Sequence, residues 1–310
     1  MRALRIGSRG STLALWQANF IREELARTQH VQAEIIIIRT SGDRFQQAPV
    51  GQLGLKGVFI KELEDALLEN HVDLAVHSMK DVPTENPAGL AFPAVYERVD
   101  VRDCLISRDA RPLAALPQGA RIGTSSLRRQ SQLLHLRPDL QVGALRGNVD
   151  TRLAKLDRGE FDAILLAKAG LDRLGWSHRI TEVLSPDQML PAVGQGALAL
   201  ECRESDSEVV DCLRKLDDAA TRAAVTAERA LLARLEGGCQ VPLGAWGNLE
   251  NGTLRLDACV LSPDGKEYIR DSGTSSPADA EQLGRQLAEE LLRKGARRIL
   301  ALVGRELDGK

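Results

Sequence analysis

Short apolar runs alternate along most of the chain with segments in which apolar residues recur every three or four positions. The runs predict β-strands, the periodic segments predict amphipathic helices, and their alternation is typical of α/β proteins. Runs such as AEIIII and DAILLA lack polar alternation, which predicts largely parallel sheets covered on both faces. Strands are predicted at residues 4–7, 34–39, 73–76, 103–107, 121–124, 141–145 and 162–167.

The pattern changes near residue 218. Asp218 is placed to cap a helix that ends at the glycine pair Gly237 and Gly238. Alternating segments on both sides of the turn SPDG predict a hairpin over residues 253–273, and a last helix is predicted from Pro277. These elements indicate a small α+β domain in the last part of the chain.

Composition excludes several classes of protein. With 43% hydrophobic and 27% charged residues and no apolar run near ~18 residues, the 310-residue chain is neither disordered nor a membrane protein. The N-terminal segment has no continuous apolar stretch, so we expect no signal peptide and a cytoplasmic protein. Five cysteines without CxxC spacing and five scattered histidines argue against a disulfide framework and against a metal site.

Positive charge is concentrated in residues 121–158, which hold eight basic and three acidic residues, a net +5 in a chain of net −2. Such a segment is either a solvated face or a ligand site. Arg128 and Arg129 directly follow GTSS at the start of a predicted helix, where each positive charge opposes the helix dipole by about 0.3–1 kcal/mol. This conflict, next to the hydroxyls of Thr124 and Ser126, favours an anionic ligand such as a carboxylate or a phosphate.

The same construction occurs near the start of the chain, where a predicted strand leads into Arg9 and Ser11 before a helix. Lys80 and Arg146 also follow predicted strands. Because parallel strands end at the same edge of a sheet, these cationic groups are expected to line a ligand crevice. Asp81 adds one carboxylate beside Lys80. It is either an ordinary turn residue or an ionised group that stabilises a developing cation.

The sequence allows two interpretations for each of two further residues, Cys239 and Phe59. Cys239 follows two glycines, so it is either a small packing residue or a thiol presented into a cleft. Phe59 is either a core residue or an aromatic ring that stacks on a flat ligand. His77 is interpreted as a packed strand residue without a role.

A series of longer motifs carries a family resemblance. In chain order they are SRGSTLALWQ, GLKGVFIKELEDALL, AVHSMKDVP, GTSSLRRQSQL, LRGNVDTRLAKL, LPAVGQGALALE and ERALLARLEGGCQVPLG, and they extend to about residue 247. In this order they resemble the porphobilinogen deaminase (hydroxymethylbilane synthase) family. One departure is a loop that commonly reads KxGGKG in the family and reads QLGLKG here. Lys56 of this loop is therefore a candidate lid contact only, together with Phe59.

The resemblance implies an α/β fold of three domains. Two of them would resemble the lobes of type II periplasmic binding proteins, and the third would be the small C-terminal α+β domain. Domain 1 is expected at residues 1–98 and 197–216, domain 2 at residues 102–191, and the C-terminal domain with the cofactor cysteine at residues 218–310.

The resemblance also implies a transferase of tetrapyrrole (heme) biosynthesis that deaminates porphobilinogen and joins the pyrroles head to tail into hydroxymethylbilane. It implies a covalent dipyrromethane cofactor, held as a thioether at Cys239. It assigns catalysis to Asp81, which would hydrogen-bond pyrrole nitrogens and stabilise an azafulvene cation. Carboxylate or cofactor binding is implied for Arg9, Ser11, Ser78, Lys80, Thr124, Ser126, Arg128, Arg129, Arg146, Arg152, Arg173 and Gln195. We expect a monomer that binds neither nucleic acid nor a membrane.

Two other functions stay open on the sequence. An anion-binding sensor of the same two-lobed architecture needs no presented thiol, so Cys239 distinguishes it from the enzyme. A nucleic-acid-binding protein would use the basic segment, but the chain has only ten aromatic residues for stacking.

Overall fold

The computed structural model describes residues 2–39, 60–235 and 241–307. The chain forms two compact units, Met1–Val99 with Gly196–Arg222 and Asp100–Gln195 with Ala223–Lys310. The helices are α1 Thr12–Gln29, α2 Lys61–Leu68, α3 Leu127–Leu136, α4 Val149–Asp157, α5 Lys168–Arg173, α6 Ser207–Arg214, α7 Ala219–Arg234, α8 Ala280–Arg293 and α9 Ala296–Leu307. The strands are β1 Leu4–Ser8, β2 Ala33–Ile37, β3 Leu74–Ser78, β4 Leu90–Tyr96, β5 Asp103–Ser107, β6 Arg121–Gly123, β7 Gln141–Gly143, β8 Ala163–Ala167, β9 Glu182–Val183, β10 Leu198–Arg203, β11 Leu243–Glu250, β12 Thr253–Leu261 and β13 Tyr268–Ser275.

The first unit is built on one mixed sheet with the strand order β2-β1-β3-β10-β4. β1 is parallel to β2 and β3, whereas β10 is antiparallel to both β3 and β4. Helix α1 covers one face through Ile21 and Leu25, and α2 covers the other through Leu63 and Leu67, all of them buried. The prediction of a sheet covered on both faces is therefore confirmed for this unit.

The second unit contains a sheet of the same design, with the order β7-β6-β8-β5-β9. β6 is parallel to β7 and β8, and β5 is antiparallel to β8 and β9. This part of the unit has two separate hydrophobic clusters. Helix α3 contributes Leu133 to one of them, and helix α4 contributes Leu153 and Leu156 to the other. In each of these sheets four of the five strands share one direction, but two of the four strand pairings are antiparallel, so the sheets are mixed and the prediction of largely parallel sheets holds only for strand direction.

The same unit also contains the antiparallel sheet β11-β12-β13, on which α7, α8 and α9 pack. The predicted hairpin corresponds to β12 and β13. Asp218 caps α7 as predicted, because its Oδ1 accepts the backbone N–H of Thr221 at 2.7 Å. The last predicted helix begins later than expected, since Pro277–Asp279 forms a separate 3₁₀ turn before α8. The glycine pair Gly237 and Gly238 lies outside the described residues.

The α/β class and the α+β character of the C-terminal part are confirmed by this topology. Strand β4 was not predicted, because Pro93 interrupts its sequence. Proline is tolerated there since β4 is the last strand of its sheet and has a free edge. No helix in the described ranges is long and apolar enough to cross a membrane. The division into three domains stays a prediction.

Candidate functional site

The predicted site residues of the first unit lie where two neighbouring parallel strands end. β1 leads into Arg9 and Ser11, and β3 leads through Ser78 into the 3₁₀ turn Met79–Asp81. Ser11 caps α1, because its Oγ accepts the backbone N–H of Ala14 at 3.3 Å. The strand–serine–helix pattern of the sequence is thus observed, and both strands deliver polar side chains to one edge of the sheet.

Gln17 was missed by the sequence analysis. Its side chain is buried on α1, and its Nε2 donates to Oγ of Ser78 at 2.9 Å. The backbone N–H of Met79 donates to the carbonyl oxygen of Ala197 at 3.0 Å. The end of β3 is therefore tied both to α1 and to the residue that precedes β10. A glutamine on the buried face of an amphipathic helix was the available signal.

Asp81 is exposed at the end of its turn. The turn is closed by the backbone N–H of Val82, which donates to the carbonyl oxygen of Met79 at 3.1 Å. Among the described residues the carboxylate of Asp81 accepts no hydrogen bond. A capping role would need such a hydrogen bond, whereas an ordinary turn residue needs none, so the catalytic role of Asp81 stays a prediction.

In the second unit the predicted residues again follow adjacent parallel strands. Thr124 and Ser126 follow β6, Arg146 follows β7, and Arg173 lies in α5 after β8. Oγ1 of Thr124 accepts the N–H of Ser126 at 3.2 Å, and Oγ of Ser126 caps α3 by accepting the N–H of Arg129 at 3.4 Å. Both hydroxyls use an oxygen lone pair in these bonds, so each keeps its O–H as a donor.

The loop that carries Arg146 is held by helix α4. Nε of Arg152 donates to the carbonyl oxygen of Gly147 at 2.7 Å, and Nζ of Lys155 donates to that of Arg146 at 3.2 Å. Gly147 has φ +110°, and a Cβ there would lie 2.7 Å from Cγ2 of Thr151. Glycine is therefore required at this position. Arg152, predicted to bind carboxylates, thus also holds the backbone of Gly147, the residue after Arg146.

Asp103 is the residue on which three predicted ligand-binding side chains converge, and the sequence analysis missed it. Its carboxylate is fully buried and accepts Nη1 of Arg128 at 2.6 Å, Nη2 of Arg129 at 2.8 Å and Nε2 of Gln195 at 2.9 Å. Burial opposes its ionisation, but the two guanidiniums outweigh this and hold the pKa of Asp103 well below its usual range. Asp103 thereby compensates the two arginines at the start of α3, so their conflict with the helix dipole does not by itself require a ligand.

The cluster nevertheless keeps an excess of positive charge. Arg128 and Arg129 are only 5% and 6% exposed and share one carboxylate, which leaves a buried net charge of about +1. Among the described residues Arg128 donates only through Nη1, to Asp103 and to the carbonyl oxygen of Leu190. In α5 of the same unit, burial lowers the pKa of Arg173 to about 10. A ligand that carries carboxylates suits these groups.

The cysteines within the described ranges are unsuited to nucleophilic chemistry. Cys104, Cys202, Cys212 and Cys259 are all buried. Burial raises the thiol pKa of Cys104 and Cys202 to about 12 and that of Cys259 to about 11, and it also raises that of Cys212. The remaining cysteine, Cys239, and the candidate lid residues Lys56 and Phe59 lie outside the described residues.

Comparison with protein families gives two matches along the chain. The family described as "Porphobilinogen deaminase, dipyromethane cofactor binding domain" matches residues 4–211, and "Porphobilinogen deaminase, C-terminal domain" matches residues 222–293. The chain is 51% identical over 300 residues to the porphobilinogen deaminase of Syntrophobacter fumaroxidans, covering 96% of this chain and 97% of the relative. It is 52% identical over 300 residues to that of Trichlorobacter lovleyi, covering 96% of each.

Part of the chain is also similar to solved structures at low identity. The periplasmic VFT2 domain of BvgS from Bordetella pertussis matches with a TM-score of 0.43 and 16% identity, covering 69% of this chain and 86% of that one. The Methionine Binding Protein, MetQ, matches with a TM-score of 0.42 and 12% identity, covering 69% of this chain and 89% of that one.

Proposed function

This chain belongs to the porphobilinogen deaminase family, and from that premise we propose how its own residues divide the reaction. The enzyme is a transferase of tetrapyrrole biosynthesis that deaminates porphobilinogen and joins the pyrroles into hydroxymethylbilane. In each addition a C–N bond breaks and releases ammonia, a C–C bond forms to the free α-carbon of the neighbouring pyrrole, and that carbon loses its proton. The family's dipyrromethane cofactor, when bound, would serve as the primer on which four porphobilinogen units are joined, and it would stay on the protein when water releases the tetrapyrrole.

The second unit binds the carboxylates of the cofactor and of the growing chain. Every porphobilinogen unit carries an acetate and a propionate, so these ligands are polyanions of carboxylates. The observation that carries the proposal is the buried net positive charge of Arg128, Arg129 and Asp103. Hydrogen bonds to charged groups contribute about 1.5–3 kcal/mol each, so several such contacts together are needed to hold a ligand firmly. The residues assigned to this role are Thr124, Ser126, Arg128, Arg129, Arg146, Arg152, Arg173 and Gln195.

The first unit performs the chemistry at the substrate. Arg9, Ser11, Ser78 and Lys80 bind carboxylates at the end of β1 and β3. The carboxylate of Asp81 accepts hydrogen bonds from pyrrole N–H groups and stabilises the positive charge that develops as ammonia leaves. Its exposure and its lack of a hydrogen-bond partner among the described residues support this role, because such a carboxylate is available to a ligand.

Asp81→Asn tests the catalytic assignment. Asparagine keeps the size of the side chain and removes its charge, so we expect turnover to fall by about 10²-fold or more while the free energy of unfolding and the cofactor content stay unchanged. Glu85→Gln, which neutralises an exposed carboxylate four residues further on, is the matched control and should retain turnover. Near-normal turnover in a folded Asp81→Asn variant would refute the assignment.

Cys239 is the attachment residue for the cofactor. The burial and the raised pKa of the four described cysteines support this choice. The denatured protein should exceed its sequence mass by one dipyrromethane, with peptide mapping placing the addition on GGCQVPLG. Cys239→Ser should lose the addition, whereas Cys202→Ser and Cys212→Ser should keep it. An addition mapped to another cysteine contradicts the proposal. The lid contacts of Lys56 and Phe59 stay predictions.

We also propose that the enzyme acts as a monomer in the cytoplasm and binds neither nucleic acid nor a membrane. The net charge of −2 gives no general attraction to phosphate backbones. The four described cysteines form no disulfide, in keeping with a reducing compartment. Light scattering after gel filtration should give the mass of a single chain, and a dimer mass would overturn the monomer.

A further inference from the structure

A buried histidine–glutamate pair lies next to the turn that carries Asp81. His77 is 5% exposed and Glu201 is fully buried, and Nε2 of His77 lies 2.8 Å from Oε2 of Glu201. In the antiparallel ladder His77 is paired with Ala199, and Glu201 with Ala75, so the two side chains are diagonal neighbours on one face of the sheet. Ala75 packs there against the buried residues of α2. The hydrogen bond thus joins β3 to β10.

Packing alone does not account for this pair. Oε1 of Glu201 has no hydrogen-bond partner within the described ranges, and an unsatisfied buried carboxylate oxygen is unfavourable. Glu64 of α2 faces the same region, and desolvation together with the charge of Glu201 raises the pKa of Glu64. Two apolar side chains would cover this face without an unsatisfied carboxylate oxygen and without repulsion between two carboxylates. A feature that opposes stability at a buried position indicates a functional requirement.

The pair lies one residue before the two strands separate. The ladder ends at the pairing of Ser78 with Leu198, and the N–H of Met79 then donates to the carbonyl oxygen of Ala197 at 3.0 Å. On the opposite face Gln17 holds Ser78, as described above. The direction in which the turn Met79–Asp81 leaves the sheet therefore depends on how the last residues of β3 are held against β10.

We propose that His77 and Glu201 are positioning residues of the reaction. Their hydrogen bond fixes the end of β3 against β10 and thereby sets where the following turn presents Lys80 and Asp81. Both side chains are buried and act through the backbone of the turn. This inference rests on the proposed role of Asp81 and extends the set of residues that the reaction needs.

Three substitutions test the hydrogen bond at this pair. Glu201→Gln removes the charge at nearly constant volume. His77→Gln places its amide nitrogen where Nε2 of the imidazole lies, whereas His77→Asn has a shorter side chain that does not reach Glu201. We expect Glu201→Gln and His77→Asn to lower kcat by about tenfold or more with KM changed less than about twofold, since small displacements of a catalytic group are costly. His77→Gln should restore most of kcat.

A matched control lies at the other end of β3. Arg5 donates to Asp73, the residue before β3, at 2.9 Å, and Arg5→Met should lower stability while leaving kcat unchanged. A second measurement is independent of turnover. Hydrogen–deuterium exchange at the amide of Met79 should become faster in Glu201→Gln and in His77→Asn, but not in Arg5→Met.

Each outcome decides the proposal. Wild-type kcat and wild-type exchange at Met79 in His77→Asn would overturn it, as would a loss of kcat in Arg5→Met as large as in His77→Asn. If Glu201→Gln does not fold, the comparison of His77→Gln with His77→Asn decides, and equal kcat values overturn the proposal. Normal turnover in Asp81→Asn would instead refute the role of Asp81. The two failures are distinguishable, because the exchange measurement at Met79 reports on the His77–Glu201 pair and does not depend on turnover.

Discussion

The buried cluster around Asp103 allows a quantitative prediction for Arg129→Met. Methionine keeps most of the apolar stem but removes the hydrogen bonds of Nε and Nη2 to Asp103, at 3.1 and 2.8 Å, and that of Nη1 to the carbonyl oxygen of Leu165, at 3.1 Å. Hydrogen bonds to charged groups contribute about 1.5–3 kcal/mol each. Because Arg128 and Gln195 still hold Asp103, and Arg128 still neutralises it, we expect the free energy of unfolding to fall by about 3 kcal/mol rather than by the sum of the three lost bonds.

Urea unfolding followed by tryptophan fluorescence measures this change, since Trp176 and Trp246 both lie in the second unit. Arg121→Met is the control. Arg121 belongs to the same basic segment but is exposed, so its loss should change the free energy of unfolding by less than about 0.5 kcal/mol. A loss below about 1 kcal/mol in Arg129→Met, or one equal to that of the control, would refute the reasoning.

The pH dependence supplies a further check on the same pair of proteins. The arginines hold the pKa of Asp103 below its unfolded value of about 3.9, so the stability it contributes is complete above that value and is lost as the pH falls towards the folded pKa. Removing Arg129 reduces this depression. The difference in stability between wild type and Arg129→Met should therefore be largest near neutral pH and shrink as the pH falls below about 4. A difference that grows on acidification contradicts the assignment.

Three further predictions concern stability and thiol reactivity. Gly265 has φ +72°, and a Cβ there would lie 2.4 Å from the backbone nitrogen of His135, whereas Gly252 has φ +78° and open space around it. Gly265→Ala should therefore lower the free energy of unfolding by about 1–3 kcal/mol more than Gly252→Ala does. Equal urea midpoints for the two variants would count against this contact. The four described cysteines should resist iodoacetamide in the native protein and react after denaturation, as followed by peptide mass, and native-state modification of any one would contradict its burial. Cys239→Ser removes the proposed attachment residue and should unfold at a lower urea concentration than the wild-type enzyme, because the carboxylates proposed to neutralise the buried charge would be missing; equal midpoints argue against carboxylate binding at this cluster.

The sequence predicted those features whose cause is local. The strand–serine–helix order predicted at Ser11 and Ser126 is observed, and there each hydroxyl also caps its helix through a hydrogen bond that reaches only three residues along the chain. The partner of Arg128 and Arg129 could not be found in this way. Asp103 lies 25 and 26 residues before them, and only the antiparallel placement of β5 beside β8 brings its carboxylate to the start of α3. A local rule therefore detected the charge conflict and missed the group that compensates it.

His77 shows the same limit on the functional side. A histidine in an apolar strand is compatible with simple packing, and its relation to Glu201 depends on the register of β3 against a strand more than a hundred residues later in the chain. Asp73 and Asp103 gave a signal that could have been used, since each carboxylate stands at the beginning of an otherwise apolar strand. A charge in such a position has to be paired in the folded protein.

In the proposed assignment, the placement of charge separates binding from catalysis. Arg128 and Arg129 are buried and held by Asp103, so they need no rearrangement when a carboxylate arrives, and the weakly polar surroundings strengthen the contact. Asp81 is exposed, and in its proposed role it gains a strong partner only when positive charge develops against it. Interactions that strengthen only in the transition state raise turnover, whereas those that are equally strong throughout improve binding alone. The buried arginines therefore suit the retention of a growing chain, and the exposed carboxylate suits the step that is repeated with every added pyrrole.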